Sequence, residues 1–199
     1  MLIKKITDKI TELVNFTSNT ISKKLRLMFQ DEAGFGRINK PKRCWCKKGL
    51  RPNVPCHRVR EYSYAYAAVS PHDGEMVSLV LPYANTACMN IFLKEVSKRY
   101  PDDYILMVAD NAAWHRSKGL AIPDNMEIFP LLPYSPELNP VEQIWDEVRE
   151  KGFRNELFNT LKHVELRLCD TLASLENNHL RVKSITGWDW IVSNNLYAN

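Results

Sequence analysis

Apolar side chains at positions 3, 6, 10, 13 and 14 fall on one face of a helix, which predicts an amphipathic helix over residues 2–16 followed by a polar stretch to Lys24. From Leu25 the period drops to two. Leu25, Leu27 and Phe29 alternate with Arg26, Met28 and Gln30, and Asp31 continues the apolar parity. A strand is therefore expected to end with a carboxylate on its inward face. Short β-prone segments follow around 43–46, 62–69 and 76–81, the last two joined by S-P-H-D-G-E, whose Pro and Asp-Gly suit a turn. Residues 86–100 carry apolar positions at helical spacing, with Asn85 or Thr86 as cap and Pro101 as stop.

The run Y-I-L-M-V-A at 104–109 is apolar on both parities, as a central strand covered on both faces requires, and it leads directly into Asp110. Another short strand is expected at 127–132. The breaker-rich S-P-E-L-N-P then leads into a helix at 141–151, and a long helix is expected over 157–175. The order β-β-β-α-β-β-α-α describes an α/β fold, a mixed sheet flanked by helices. Residues 1–24 are read as a helical lead-in, 25–180 as one catalytic domain and 181–199 as a C-terminal tail.

A chain of 199 residues with 45% hydrophobic and 25% charged side chains suits one folded domain with its own core. No apolar run reaches the roughly 18 residues of a membrane span, so no membrane role is expected, and a cytoplasmic location is. Five cysteines, an odd number, speak for reduced thiols rather than a disulfide framework. The net charge of +4 is modest, but its distribution is uneven. Lys40, Lys42, Arg43, Lys47, Lys48, Arg51, Arg58 and Arg60 fall within about twenty residues that hold no acid before Glu61, so this stretch is either a solvated face or a surface for DNA phosphates.

Asp31, Asp110 and Glu142 lie far apart in sequence, yet each stands at an element boundary where a sheet-centred fold can gather them. Three carboxylates in one cleft repel unless a hard cation neutralises them, which points to Mg²⁺ as cofactor and to phosphodiester chemistry. A purely structural role is open to each acid as well. Asp31 could pair with an Arg, Asp110 could close an Asx turn, and Glu142 in N-P-V-E fits a capping box. Glu32, which alternation turns to the opposite face, and Glu137, in the loop, rank lower. Asn111 and His115 are supporting candidates beside Asp110. Trp114, Trp145, Trp188 and Trp190 read as core aromatics, and Cys44, Cys46, Cys56 and His57 are too tightly spaced for an ordinary zinc site.

Three ordered blocks, F-Q-D-E-A-G-F (29–35), V-A-D-N-A-A-W-H (108–115) and L-P-Y-S-P-E-L-N-P-V-E-Q-I-W (132–145), resemble the signatures of DDE transposases in the bacterial insertion-sequence branch of the mariner superfamily. The resemblance implies an RNase H-like fold and names Asp31, Asp110 and Glu142 as the catalytic and metal-holding Asp-Asp-Glu set. It also implies two Mg²⁺ or Mn²⁺ ions and cut-and-paste transposition into TA sites. Expected partners are DNA, at transposon ends and target, and a second copy in a homodimer; the location is nucleoid-associated. W-C-K-K-G at 45–49 resembles the family's second strand and turn, which needs no metal. Two departures stand out. Thirty-one residues separate Asp110 from Glu142, a few fewer than usual, and only some thirty precede Asp31, where the family carries a helix-turn-helix region. The lead-in is thus expected to be a linker remnant, with a separate polypeptide supplying DNA recognition. The rival expectations are another RNase H-like nuclease, such as a junction resolvase, and an inactive remnant that only binds DNA or a partner.

Overall fold

The computed structural model describes residues 2–16, 23–38, 42–53, 59–110, 119–131 and 136–193. Its chain order is α1 (Leu2–Phe16), β1 (Lys24–Gly36), β2 (Tyr62–Ser70), β3 (Glu75–Leu81), α2 (Thr86–Arg99), β4 (Asp103–Ala109) and β5 (Met126–Pro130). Then come a short 3₁₀ turn (Pro136–Leu138), α3 (Val141–Gly152), α4 (Leu161–Glu176), α5 (His179–Thr186) and α6 (Asp189–Val192). The five strands lie in the order β3-β2-β1-β4-β5. The first three form an antiparallel meander, and β4 and β5 add in parallel. This is the RNase H-like mixed sheet.

Alternation sorts the sheet's two faces. Leu25, Leu27 and Phe29 of β1 join Leu106 and Val108 of β4 under α1 and α3–α6, whereas Met28, Ile105 and Met107 lie under α2. Residues 105–109 have no exposed surface, because β4 is a central strand with helices on both faces. Asn85 caps α2 by accepting from the N–H of Cys88 at 2.9 Å, and Phe92, Leu93 and Val96 fill that layer.

Some elements differ from expectation. Residues 43–46 form no strand: they run as irregular, exposed chain, with Trp45 fully open to solvent. The long C-terminal helix starts at Leu161, where Thr160 accepts from the N–H of His163, so Leu157 and Phe158 precede it. From 179 onward α5 and α6 are helical, and Val182, Thr186 and Ile191 are buried. The turn between β2 and β3 puts Gly74 at φ +80, where a Cβ would meet the carbonyl oxygen of His179 at 2.0 Å; only glycine lets α5 approach so closely. No helix among the described residues is long and apolar enough to cross a membrane.

A buried cation holds the start of the parallel pair. Arg26, 7% exposed, donates to Asp103 on β4 at 2.5 Å and to Asp73 at 2.8 Å, with its guanidinium 4.1 Å from the ring centre of Tyr100. This pins β1 to β4 in one register. Asp103→Ala should therefore cost about 3 kcal/mol, because it strips a buried charge of its closest partner. Urea denaturation should show the loss as a lower midpoint at an unchanged slope.

Candidate active site

Phe29 pairs with Val108 at the last step of the β1–β4 ladder. Two residues on, Asp31 and Asp110 follow at one level on neighbouring parallel strands and on the same parity. Asp31 does not end its strand, contrary to the sequence reading. β1 runs on to Gly36 with β2 as its neighbour, so Asp31 sits where the strand loses β4.

The N-terminus of α3 comes to this level because Asn139, 3% exposed, bridges two elements. Its side-chain amide donates to the carbonyl of Gln30 at 3.0 Å, and its side-chain oxygen accepts from the N–H of Val141 at 3.2 Å. Glu142 stands in the first turn, where the helix dipole favours a carboxylate. The expected capping box does not form: no side chain caps the residue before Val141, and Asn139 takes that duty one step earlier. One turn further along α3, Trp145 is 1% exposed and its indole N–H donates to Asp31 at 2.8 Å.

Asp31 retains some exposed surface, yet burial is the largest influence on its carboxyl, which is pushed up from 3.8 to about 7. The negative charges of Glu142 and Glu32 push the same way, against the bond from Trp145. Glu142 is thus an electrostatic neighbour of Asp31. Glu32 lies with Gln30 on the α2 side, accepting from its amide at 3.0 Å, as alternation requires. Glu137 is exposed in the 3₁₀ turn. Asp110 is half-buried and lies two residues past the last β1–β4 pair. Asn111 and His115 lie outside the described residues. Among the described residues, no group of three His, Cys, Asp or Glu is gathered closely enough to hold a metal ion. The donors still suit one chemically: they are hard carboxylate oxygens, and a cation would reverse the penalty on Asp31.

The basic stretch divides. Lys42 and Arg43 are tied to the end of α3: Asn155 exchanges two hydrogen bonds with the backbone of Lys42, Lys42 pairs with Glu150, and Arg154 donates to the carbonyl of Arg43. Lys47, Lys48, Arg51 and Arg60 are exposed, and Lys40 and Arg58 lie outside the described residues. Cys44 and Cys46 are free, exposed thiols, while Cys56 and His57 are outside the described residues.

The profile of the DDE superfamily endonucleases matches residues 26–165. The chain belongs to the DDE superfamily. An uncharacterized protein of Sinorhizobium fredii, y4pE/y4sA, is 32% identical to the DDE chain over 130 residues, covering 65% of this chain and 96% of the relative. Among solved structures, a Mos1 transposase paired-end complex with left transposon end is similar at TM-score 0.61 and 16% identity, over 97% of this chain and 62% of that one. A mariner Mos1 paired end complex with Mg is similar at TM-score 0.56 and 15% identity, over 100% of this chain and 64% of that one. The DDE chain thus spans a little under two thirds of the Mos1 chains it matches, and shares their catalytic-core fold.

Sequence reasoning named Asn139 as the cap of α3 but missed its bond to Gln30, and it missed the duty of Trp145. Both stand in the third motif block, and Trp145 lies three residues from Glu142, on the same side of a helix, which is the signal that could have found it.

The raised Asp31 carboxyl has a consequence for stability. A carboxyl whose pKa is raised on folding favours the fold while protonated, so its contribution is full below 3.8 and lost as pH climbs through about 7. In chelator, Asp31→Asn should be more stable than wild type above pH 7, by up to roughly 4 kcal/mol, with the gap closing toward pH 4. Thermal melts across that range would show it, and a gap independent of pH would contradict it.

Proposed function

We propose that this chain is the catalytic domain of a transposase, which hydrolyses phosphodiester bonds at transposon ends and transfers the freed strand into target DNA. The observation that carries the reading is the contact of buried Trp145 with Asp31, which sets a strand carboxylate beside Glu142 at the first turn of α3. In this reading Asp31, Asp110 and Glu142 together hold two Mg²⁺ or Mn²⁺ ions. Bound there, the ions would supply charge neutralisation and an activated attacking oxygen for in-line displacement at phosphorus. Trp145 keeps Asp31 aimed into the cleft, and Asn139 keeps the first turn of α3 at the level of β1. Lys47, Lys48, Arg51 and Arg60 contact DNA phosphates without reading sequence. The active form is a homodimer.

Asp31→Asn, Asp110→Asn and Glu142→Gln keep side-chain shape and remove a ligand charge. In a reconstituted system with transposon-end DNA, each should reduce cleavage and strand transfer by about a hundredfold or more while the fold, read by circular dichroism, is unchanged. Glu32→Gln should retain most of the activity, and Ca²⁺ should bind without supporting good turnover. Near-normal cleavage by Glu142→Gln would leave that residue only a helix-terminal acid and overturn its assignment.

A further inference from the structure

Past the level of Asp31, residues 32–36 of β1 pair with β2 alone. A groove of about 530 Å³ opens along this extension, between residues 34–36, the second half of α3, and Lys42. Its walls combine two chemistries. Lys42, Arg149 and Arg154 bring three cations, while Tyr62 adds an aromatic ring. That ring lies over Gly36, its cross-strand partner: a Cβ at 36 would meet the Tyr62 ring at 2.4 Å, so glycine is what lets the ring lie flat there. Tyr62 remains 41% exposed. Arg149 is held against the ring of Phe35, 5.5 Å from its centre.

The groove and the proposed active site share helix α3 and strand β1. Arg149 follows Glu142 by seven residues, two turns of helix, so it lies on the same side of α3 and roughly 10 Å along it. At about 3.4 Å per nucleotide, that is some three nucleotides from the bond cut at Asp31 and Glu142. Glu150 pairs with both Lys42 and Arg154, but it is exposed, and surface pairs of this kind exchange readily for another anion. Arg149 has only a long contact, 3.7 Å, to Asp146.

We propose that this groove binds the DNA strand flanking the cleaved bond, with Arg149 and Arg154 on phosphates and Tyr62 stacked on an unpaired base. The inference rests on the transposase reading and adds to it a site on the α3–β1 extension, separate from the exposed basic stretch.

The test uses the full chain and a labelled duplex of arbitrary sequence, either blunt or with a short 3′ single-stranded overhang. Fluorescence anisotropy is read across a salt series in chelator. Arg149→Gln and Arg154→Gln should each flatten the slope of log affinity against log salt by about one, and Arg149→Lys should retain it. Tyr62→Ala should weaken binding to the overhang DNA by at least about fivefold and leave blunt DNA unaffected. If wild type binds and these variants match it in affinity and slope, the groove is not a DNA site, and the proposed chemistry is untouched. If they weaken as expected while, in the separate reconstituted assay with Mg²⁺, Asp31→Asn still cleaves, the groove stands and the catalytic reading falls. A wild type that binds neither DNA overturns both.

Discussion

The parallel pairing of β1 with β4, and the point at which it stops, sets the rest of this molecule. Parallel strands in register place Asp31 and Asp110 at matching positions, each two residues past the last β1–β4 pair. Because β1 runs on beyond that point with β2 alone, its free edge is left for α3 to pack beside. The buried Arg26 pair with Asp103 holds the opposite end of the same two strands, so the register is fixed at its base and used at its tip.

Folding works against the site it builds. A carboxylate kept beside two other acids and largely surrounded by protein is a cost that a structural role would not explain, and perturbed groups of this kind gather where chemistry is done. Gln30, fully buried, spends its amide on Glu32, and among the described residues its side-chain oxygen has no hydrogen-bond partner. Against these stand the indole N–H of Trp145, a backbone hydrogen bond at Glu32 and the helix dipole of α3. The balance is one that a divalent cation would reverse.

Helix α3 joins the parts. Its buried stripe, Val141, Ile144, Trp145 and Val148, anchors it to the sheet over Phe29 and Phe35. Its first turn offers Glu142 to the cleft, and its last turns carry Arg149 and, just beyond, Arg154 toward the β1 extension. Acids at the start and cations at the end suit both the helix dipole and a polyanion that approaches phosphorus chemistry at one end and needs phosphate contacts at the other. The fold of the Mos1 complexes is shared over nearly the whole chain, while sequence identity is 16% or less in the two compared, so what persists is the placement of elements rather than their residues.

The sequence by itself determined the elements and their faces. Period-two alternation in β1 put Asp31 and Glu32 on opposite faces of the sheet, and the doubly apolar run of β4 marked a central strand. The three motif blocks were legible as a DDE chain. What it left undecided were contacts between residues far apart in the chain. That Asn139 bridges to Gln30 and that Trp145 reaches back to Asp31 follow from docking α3 on β1, while the cap role that N-P-V-E gave Asn139 stands in its bond from the Val141 N–H. The length of β1 was equally a tertiary matter: local pattern signals a strand while apolar residues alternate, but only pairing with β2 carries it through to Gly36. Periodicity records which side of an element is buried; which partner buries it, and where that partner stops, is decided only when the layers pack.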